Sequence, residues 1–350
     1  MTPQDSFYMQ RCLELASHGL GSTFPNPLVG CVIVHNGLII GEGWHRKAGE
    51  PHAEVLAIAS VKNEALLPES TIYVSLEPCS HYGKTPPCAN LIIAKKIKKV
   101  VIGTIDPFAK VAGNGIQLLK EAGCQVTLGV LEDKCNQLNK RFFTFHTKKR
   151  PYIILKWAQT QDGFIAPMAE KRENNPQPFW ITNPYSRQLV HKWRTEEAAI
   201  LIGTRTALED NPKLNSRLWK GHHPVRIIID RHLRIPKNYN VWDGSVKTLF
   251  ITEKTNTPLT KNTYFHTIDF SKPLATQICD IAYEHHLQSL IIEGGTQTLN
   301  TFIEEALWDE ARVFTGEKFE KKGVPAPKIQ QVPDHQTSLL NDQIHHYYNT

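Results

Sequence analysis

His52-Ala53-Glu54, Pro78-Cys79 and Cys88 are the residues of this chain whose types and spacing can do chemistry together. One imidazole and two thiolates hold a zinc ion at three positions and leave the fourth open to water, as in a catalytic rather than a structural site. Glu54, just beyond the histidine, offers a carboxylate that can carry protons without touching the metal. Water acidified by the ion beside such a carboxylate can replace an amino group on a nucleobase-like ring with oxygen. The pattern therefore implies hydrolytic deamination, with Glu54 taking the proton of the water and passing it to the leaving amine. Two plainer readings compete. One is four unrelated residues: a capping histidine, a solvated glutamate and two packed cysteines. The other is a closed structural site with His81 as fourth ligand, a cramped geometry so close to Cys79.

Such a site needs elements that bring residues 52, 79 and 88 to one end of a sheet. The β-branched run 29–35, the Asn36-Gly37 turn and the return 38–44 predict a hairpin. Pro51 predicts the start of a helix through Ala53, Val55, Leu56 and Ile58, because proline is tolerated in a first turn. A buried strand follows at 71–76, then a helix over 88–96 opened by Pro86-Pro87. Strands at 99–105 and 125–130, a helix near 116–122 and one final helix at 132–145 complete an alternating α/β half. His52, Glu54 and Cys88 then lie in first helical turns, where partial positive charge favours thiolate. Cys79 leaves a strand beside them.

Residues 146–151 read as a short basic connector to a second α/β unit with strands at 152–157, 199–202, 225–230, 248–252 and 289–292. The stretch 169–178 is polar and proline-containing, as an exposed loop would be. The tail after Val332 carries little pattern, although 345–348 could form an edge strand. A length of 350 residues fits two domains, taken as 1–147 and 148–350. Hydrophobic content of 41% with 21% charged residues is that of a soluble globular protein. No apolar run nears the ~20 residues of a membrane helix, and Met1-Thr2-Pro3-Gln4-Asp5 lacks the layout of a secretory signal. The expectation is a cytoplasmic enzyme without a membrane partner. Seven scattered cysteines argue against a disulfide framework, and Cys12, Cys31, Cys124, Cys135 and Cys279 read as packed hydrophobes. A net charge of +6 suits an anionic small molecule better than a nucleic acid.

No G-x-G-x-x-G follows a strand in the second half. Ile291-Ile292-Glu293-Gly294-Gly295-Thr296 instead ends a strand and enters a helix, where paired glycines let a pyrophosphate approach the helix N-terminus. A simple tight turn is the alternative.

Common cytidine and transfer-RNA adenosine deaminases carry a much shorter spacing between their cysteines than the eight residues found here. With that insertion come Pro25-Asn26-Pro27-Leu28-Val29-Gly30-Cys31, the run H-R-K-A-G-E-P-H-A-E from His45 to Glu54, Asp106-Pro107 and Val111-Ala112-Gly113-Asn114-Gly115. Together they resemble the bifunctional riboflavin-biosynthesis deaminase–reductases. The resemblance implies a cytidine-deaminase-like three-layer domain with His52, Cys79 and Cys88 on zinc and Glu54 as proton donor. It implies a diaminopyrimidinone ribosylamino 5′-phosphate, formed when GTP is opened, as substrate, with Asn26 and His45 as contacts. Asn26 would also suit a turn between its two prolines.

In the second half, residues 156–166, Trp180-Ile181-Thr182, Ile202-Gly203-Thr204-Arg205-Thr206 and 210–217 resemble the reductase domain of that family. This implies a dihydrofolate-reductase-like α/β fold that uses NADPH to open and reduce a ribose to a ribityl chain. By the same match Ala158, Trp180, Thr206, Asp210, Thr252, Gly294 and Gly295 are cofactor contacts. Lys156, Arg194, Leu214, Arg217 and Glu293 are substrate contacts, and Lys156 and Asp210 are candidates for the acid. Arg194 and Arg217 suit a phosphate through paired guanidinium donors. Arg231 and Arg234 could meet the extra phosphate of NADPH or stay solvated. The chain departs from the family at Asn174-Asn175-Pro176-Gln177-Pro178-Phe179, where Pro178 replaces a substrate-contacting serine, and at Thr160-Gln161-Asp162-Gly163. These departures motivate a rival in which the second half is an inactive dimerisation or substrate-holding module. A nucleic-acid-editing deaminase is the other rival; it predicts aromatic and basic residues lining a groove, and the long insertion between the cysteines and the lack of a basic cluster argue against it. A homo-oligomer, dimer or tetramer, is expected by the same resemblance.

Overall fold

Side chains alternate across a strand, so one sheet can bury two apolar faces, and both principal sheets of this chain do so. The computed structural model describes residues 2–80, 86–108, 112–168, 170, 176–254 and 261–349. They fall in two compact units, Met1–Lys149 and Arg150–Thr350.

The first unit runs α1 (Pro3–Ser17), β1 (Gly30–His35), β2 (Leu38–Trp44), α2 (Ala53–Ala59), a 3-10 helix (Glu64–Glu69), β3 (Thr71–Leu76), α3 (Cys88–Ala94), β4 (Lys99–Thr104), α4 (Asn114–Glu121), β5 (Gln125–Leu128), α5 (Glu132–Leu138) and α6 (Lys140–Lys148). Its sheet has the order β2-β1-β3-β4-β5. β1 is antiparallel to both neighbours, and β3, β4 and β5 are parallel. Ile33, Val74 and Ile102 face Ala57 of α2, Ile92 of α3 and Leu119 of α4. The intervening Val32, Tyr73 and Val101 face Met9 and Cys12 of α1 and Cys135 of α5. Helices on both faces of one sheet make the expected three layers.

Several local expectations need correction. Pro51 does not enter a helix: His52 is extended (φ −71°, ψ 164°) and caps α2, which begins at Ala53. The second helix stops at Ala94 rather than 96, because Lys96 turns into the left-handed region. The single helix expected over 132–145 is two helices, broken at Asn139. The buried Asn139 amide accepts from Leu28 N–H (2.8 Å) and donates to Leu28 C=O (2.9 Å), so the break presents one side chain to both groups of a distant peptide. α6 absorbs residues expected in the connector. α1 escaped the sequence reading, although Thr2 and Asp5 form a reciprocal capping box.

The second unit contains β6 (Tyr152–Gln159), β7 (Phe164–Pro167), α7 (Pro184–Glu196), β8 (Ala199–Gly203), α8 (Thr204–Asp210), β9 (Val225–Ile229), a 3-10 turn (Asn240–Trp242), β10 (Thr248–Thr252), β11 (Thr263–Thr267), α9 (Leu274–Glu284), β12 (Ser289–Ile292), α10 (Thr296–Glu304), β13 (Glu310–Thr315), β14 (Gly323–Pro325), β15 (His335–Leu339) and β16 (Asp342–Tyr348). The main sheet has the order β11-β10-β9-β8-β12-β6-β13-β16-β15. Its strands are parallel from β11 to β13 and antiparallel beyond. Leu155, Leu201 and Ile292 pack on α9 and α10 through Ile278 and Phe302. Ile154, Ile202 and Ile291 pack on α7 and α8 through Trp193 and Ala207. The strand expected at 345–348 is longer and is not an edge, because β15 covers it. Of the loop expected at 169–178, residues 169 and 171–175 lie outside the described residues.

Replacing Asn139 with alanine leaves both buried Leu28 groups without that partner. It should destabilise the first unit by about 3 kcal/mol, read from the shift of its urea midpoint.

Candidate active sites

The first site gathers at the carboxyl end of β3. His52 caps α2, Cys88 opens α3, and Cys79 lies on the chain leaving β3. Their ligand atoms all lie within 4.8 Å of one another. His52 Nδ1 is 3.5 Å from Cys79 Sγ and 3.3 Å from Cys88 Sγ. A tetrahedral zinc with one nitrogen and one sulfur ligand separates them by about 3.5 Å, so the donor set fits the ion. Cys88 N–H donates to Cys79 Sγ at 3.3 Å. The Cys79 thiol is pulled down to about 4, first by the hydrogen bond with Cys88, against burial and with His52 helping. Cys88 is pushed up, first by that same bond and then by burial. Two sulfurs this close cannot both ionise unless a cation sits with them, which is what a zinc site requires.

Glu54 is buried in the first turn of α2. Burial pushes its carboxyl up to about 6, with the negative charge of Cys79 adding to the effect and His52 opposing it. Asn26 and His45 are brought to the same place. His45 Nδ1 faces the Pro51 carbonyl at 3.1 Å and must therefore donate, which leaves Nε2 to accept from Asn26 Nδ2 at 3.0 Å. Burial lowers the His45 pKa, with the bond to the Pro51 carbonyl opposing it. The ring packs edge-on against His52, with centroids 5.5 Å apart. Asn26 is also a turn residue, its N–H donating to Thr23 C=O at 2.7 Å. His81 and the rest of 81–85, like Val111, lie outside the described residues.

One residue that sequence reasoning missed ties this site together. Buried Glu77 accepts backbone N–H bonds from Asp106 (3.3 Å), Gly113 (3.0 Å), Gly115 (2.9 Å) and Ile116 (3.3 Å). It thereby caps α4 and fixes the chain immediately before Cys79. Gly115 has to be glycine, since a Cβ there would sit 2.1 Å from the Pro78 carbonyl oxygen. The signal was present in the sequence as the acid preceding Pro78-Cys79 and the Gly113-Asn114-Gly115 motif, but their pairing is a long-range fact.

The second site lies at the carboxyl edge of the larger sheet. Register pairs Leu155 and Leu201 with Ile292, so Lys156 and Glu293 follow side by side, level with Ile202 of β8. Arg194 grips Glu293 with two bonds, Nε to Oε1 at 2.9 Å and Nη2 to Oε2 at 2.7 Å. Lys156 Nζ stands 3.8 Å from Glu293 Oε2. Burial pushes the Glu293 carboxyl up, but the charges of Arg194 and Lys156 and the Arg194 bonds outweigh it and hold it near 2. Burial lowers the Lys156 pKa, with Glu293 opposing. The fork of Arg194 is thus engaged by an acid, which leaves exposed Arg217 as the guanidinium better placed for a phosphate.

The glycines of this edge differ. A Cβ on Gly203 would meet Thr298 Oγ1 at 2.6 Å, and one on Gly294 would meet Thr298 Cβ at 2.7 Å, so both let α10 pack closely. At Gly295 the nearest atom is Thr206 Oγ1 at 3.4 Å, so the protein itself leaves room for a side chain. Gly295 and Thr206 therefore adjoin at the N-terminus of α10, where unpaired N–H groups suit a pyrophosphate. Ala158 lies on β6 opposite Phe314, half-exposed Trp180 stacks under Arg187 at 4.5 Å, and Asp210 closes α8. Two expected contacts need correction. Leu214 is 2% exposed and packs in the core, which leaves only its backbone available. The Thr252 hydroxyl donates to Arg231 C=O (2.9 Å) and accepts from Lys254 N–H (3.2 Å), so it braces the strand end. Arg231 pairs with Glu253 at 2.7 Å.

Two outcomes follow. Glu77→Gln turns an amide nitrogen toward backbone N–H groups and should weaken zinc binding about 10-fold or more, measured by chelator competition. Gly294→Ala should cost about 1–3 kcal/mol of stability, whereas Gly295→Ala should melt with the parent and raise the KM for NADPH about 10-fold.

Comparison with known proteins matches the two halves separately. Residues 2–104 match the cytidine and deoxycytidylate deaminase zinc-binding region, and residues 151–319 match the RibD C-terminal domain. The riboflavin biosynthesis protein RibD of Aquifex aeolicus is 39% identical over 324 residues, 91% of this chain and 89% of that protein. The protein of that name from Actinobacillus pleuropneumoniae is 37% identical over 345 residues, 95% of this chain and 90% of its own. The crystal structure of a diaminohydroxyphosphoribosylaminopyrimidine deaminase/5-amino-6-(5-phosphoribosylamino)uracil reductase from Thermotoga maritima matches with a TM-score of 0.87 at 35% identity, over 98% of each chain. Acinetobacter baumannii RibD matches with a TM-score of 0.87 at 33% identity, over 99% of this chain and 98% of that one. The chain belongs to the RibD family of riboflavin biosynthesis proteins, bifunctional deaminase–reductases.

Proposed function

We propose that residues 1–147 hydrolytically deaminate the diaminopyrimidinone ribosylamino 5′-phosphate and that residues 148–350 then reduce its ribose to a ribityl chain. The observation that carries this reading is the convergence of His52, Cys79 and Cys88 beside buried Glu54. Zinc, when bound by those three residues, supplies a Lewis acid that makes water nucleophilic near neutral pH. Glu54 takes the proton of that water and delivers it to the departing ammonia. His45, neutral and fixed by Pro51, and Asn26 orient the pyrimidine.

In the second unit NADPH supplies the hydride, and the residues of the chain position the reactants. Thr206 and Gly295 would hold its pyrophosphate, with Gly294 keeping α10 close and Ala158, Trp180 and Asp210 around it. Glu293, held ionised by Arg194 and Lys156, takes sugar hydroxyls, and Lys156 is the cation placed to protonate the opening ring. Arg217 meets the phosphate. The substrate is a small molecule rather than a nucleic acid, in keeping with the modest charge of +6. Among the described residues no helix is long and apolar enough to cross a membrane. All seven cysteines are free thiols, which supports a cytoplasmic setting. The open sheet edges at β2, β11 and β15 offer surfaces for a homo-oligomer.

The test is the purified protein with substrate and NADPH, ammonia release and NADPH oxidation being followed separately. Glu54→Gln should lower ammonia release at least about 100-fold while zinc stays bound. The parent should oxidise NADPH saturably on the deaminated compound. Full deamination by Glu54→Gln, or no NADPH oxidation by folded protein, rejects the corresponding half.

A further inference from the structure

The segment between α8 and β9 crosses the reductase site pinned at three points. Asn211 accepts from Asn240 N–H at 2.8 Å, the Leu214 side chain plugs into the core, and Ser216 Oγ donates to His222 C=O at 2.7 Å. Between the last two pins stands Asn215, and its two oxygens serve two different arginines. Its backbone oxygen accepts from Arg194 Nη1 at 3.2 Å, and its side-chain Oδ1 accepts from Arg217 Nη1 at 3.3 Å. Arg194 belongs to the buried cluster with Glu293 and Lys156, whereas Arg217 is exposed.

We propose that Asn215 is a positioning residue of the reductase site, holding the Arg217 guanidinium beside the Arg194–Glu293 pair so that Arg217 meets the phosphate end of the substrate. Arg194 is already paired with Glu293, and a neutral residue with two acceptors can tie Arg217 to it without cancelling the charge of Arg217. An acid in its place would neutralise Arg217 and repel a phosphate dianion. The Arg217 pKa is lowered by burial and then by Arg194, and buried His191 is pushed down to about 4 by burial and then by Arg194 and Arg217. A bond between His191 and the Asn215 backbone adds a further tie between α7 and this loop.

The inference rests on the reading of Arg217 as a phosphate contact, so the experiment separates the two. KM and kcat are measured for Asn215→Ala, Asn215→Asp and Arg217→Ala, using the deaminated phosphate substrate, its dephosphorylated counterpart and NADPH. Asn215→Ala should raise the KM for the phosphorylated substrate about tenfold, with kcat within about twofold and the dephosphorylated compound and NADPH unaffected. Asn215→Asp should be worse than alanine, because its carboxylate pairs with Arg217. An unchanged KM in Asn215→Ala, or equal losses on both substrates, overturns the role of Asn215. If that happens while Arg217→Ala still raises the KM, only this inference fails. If Arg217→Ala also leaves the KM unchanged, the phosphate-site reading fails with it.

Discussion

Two thiols and an imidazole placed within hydrogen-bonding distance are an electrostatic problem that the rest of the first unit is organised to hold in place. The sulfurs cannot both carry charge without a cation between them, so their backbone supports must keep them together regardless. Those supports are main-chain groups. The Cys88 N–H reaches back to Cys79 Sγ, Ala89 N–H reaches Cys79 C=O, and Pro51 C=O fixes His45, whose ring packs on His52. The short helix capped by His52 and the one opened by Cys88 supply the ligands at their N-terminal ends, and Ala53, Ala57, Ala89 and Ile92 pin these helices to the sheet.

The second unit faces the opposite difficulty. Lys156, Arg194 and Glu293 are all largely withdrawn from water, and charges so placed usually cost more in lost hydration than their attraction returns. Apolar residues of similar volume would be a cheaper way to close that edge. Their retention at the carboxyl ends of parallel strands, next to the helix that Gly295 opens, fits a site whose charges serve a ligand. The parallel register of β6 and β12 sets Lys156 beside Glu293, and α7 brings Arg194 onto them.

What the sequence disclosed depended on whether a signal was local. The Asn36-Gly37 hairpin and the strand ends at 252 and 292 are written in neighbouring residues, and the structure has them where local pattern puts them. The break at Asn139 was illegible because its cause is Leu28, far away in the chain. The four amide bonds of Glu77 and the two arginines of Asn215 are hidden for the same reason. Matching Leu214 and Thr252 to contact positions identified places on the backbone, not side chains free to touch a ligand. β15 is polar and exposed without alternation, so nothing in its composition announced a strand.

Glu77 grips peptide N–H groups, not side chains, along the turn that opens α4. The metal corner is therefore indifferent to most amino-acid replacements at those positions, Gly115 excepted for want of space and Gly113 for its left-handed backbone (φ 78°). It is sensitive instead to chain length: one residue added or deleted between Gly113 and Ile116 would rotate the amide vectors away from the carboxylate. Drift in that stretch should proceed by exchange of letters and never by indels.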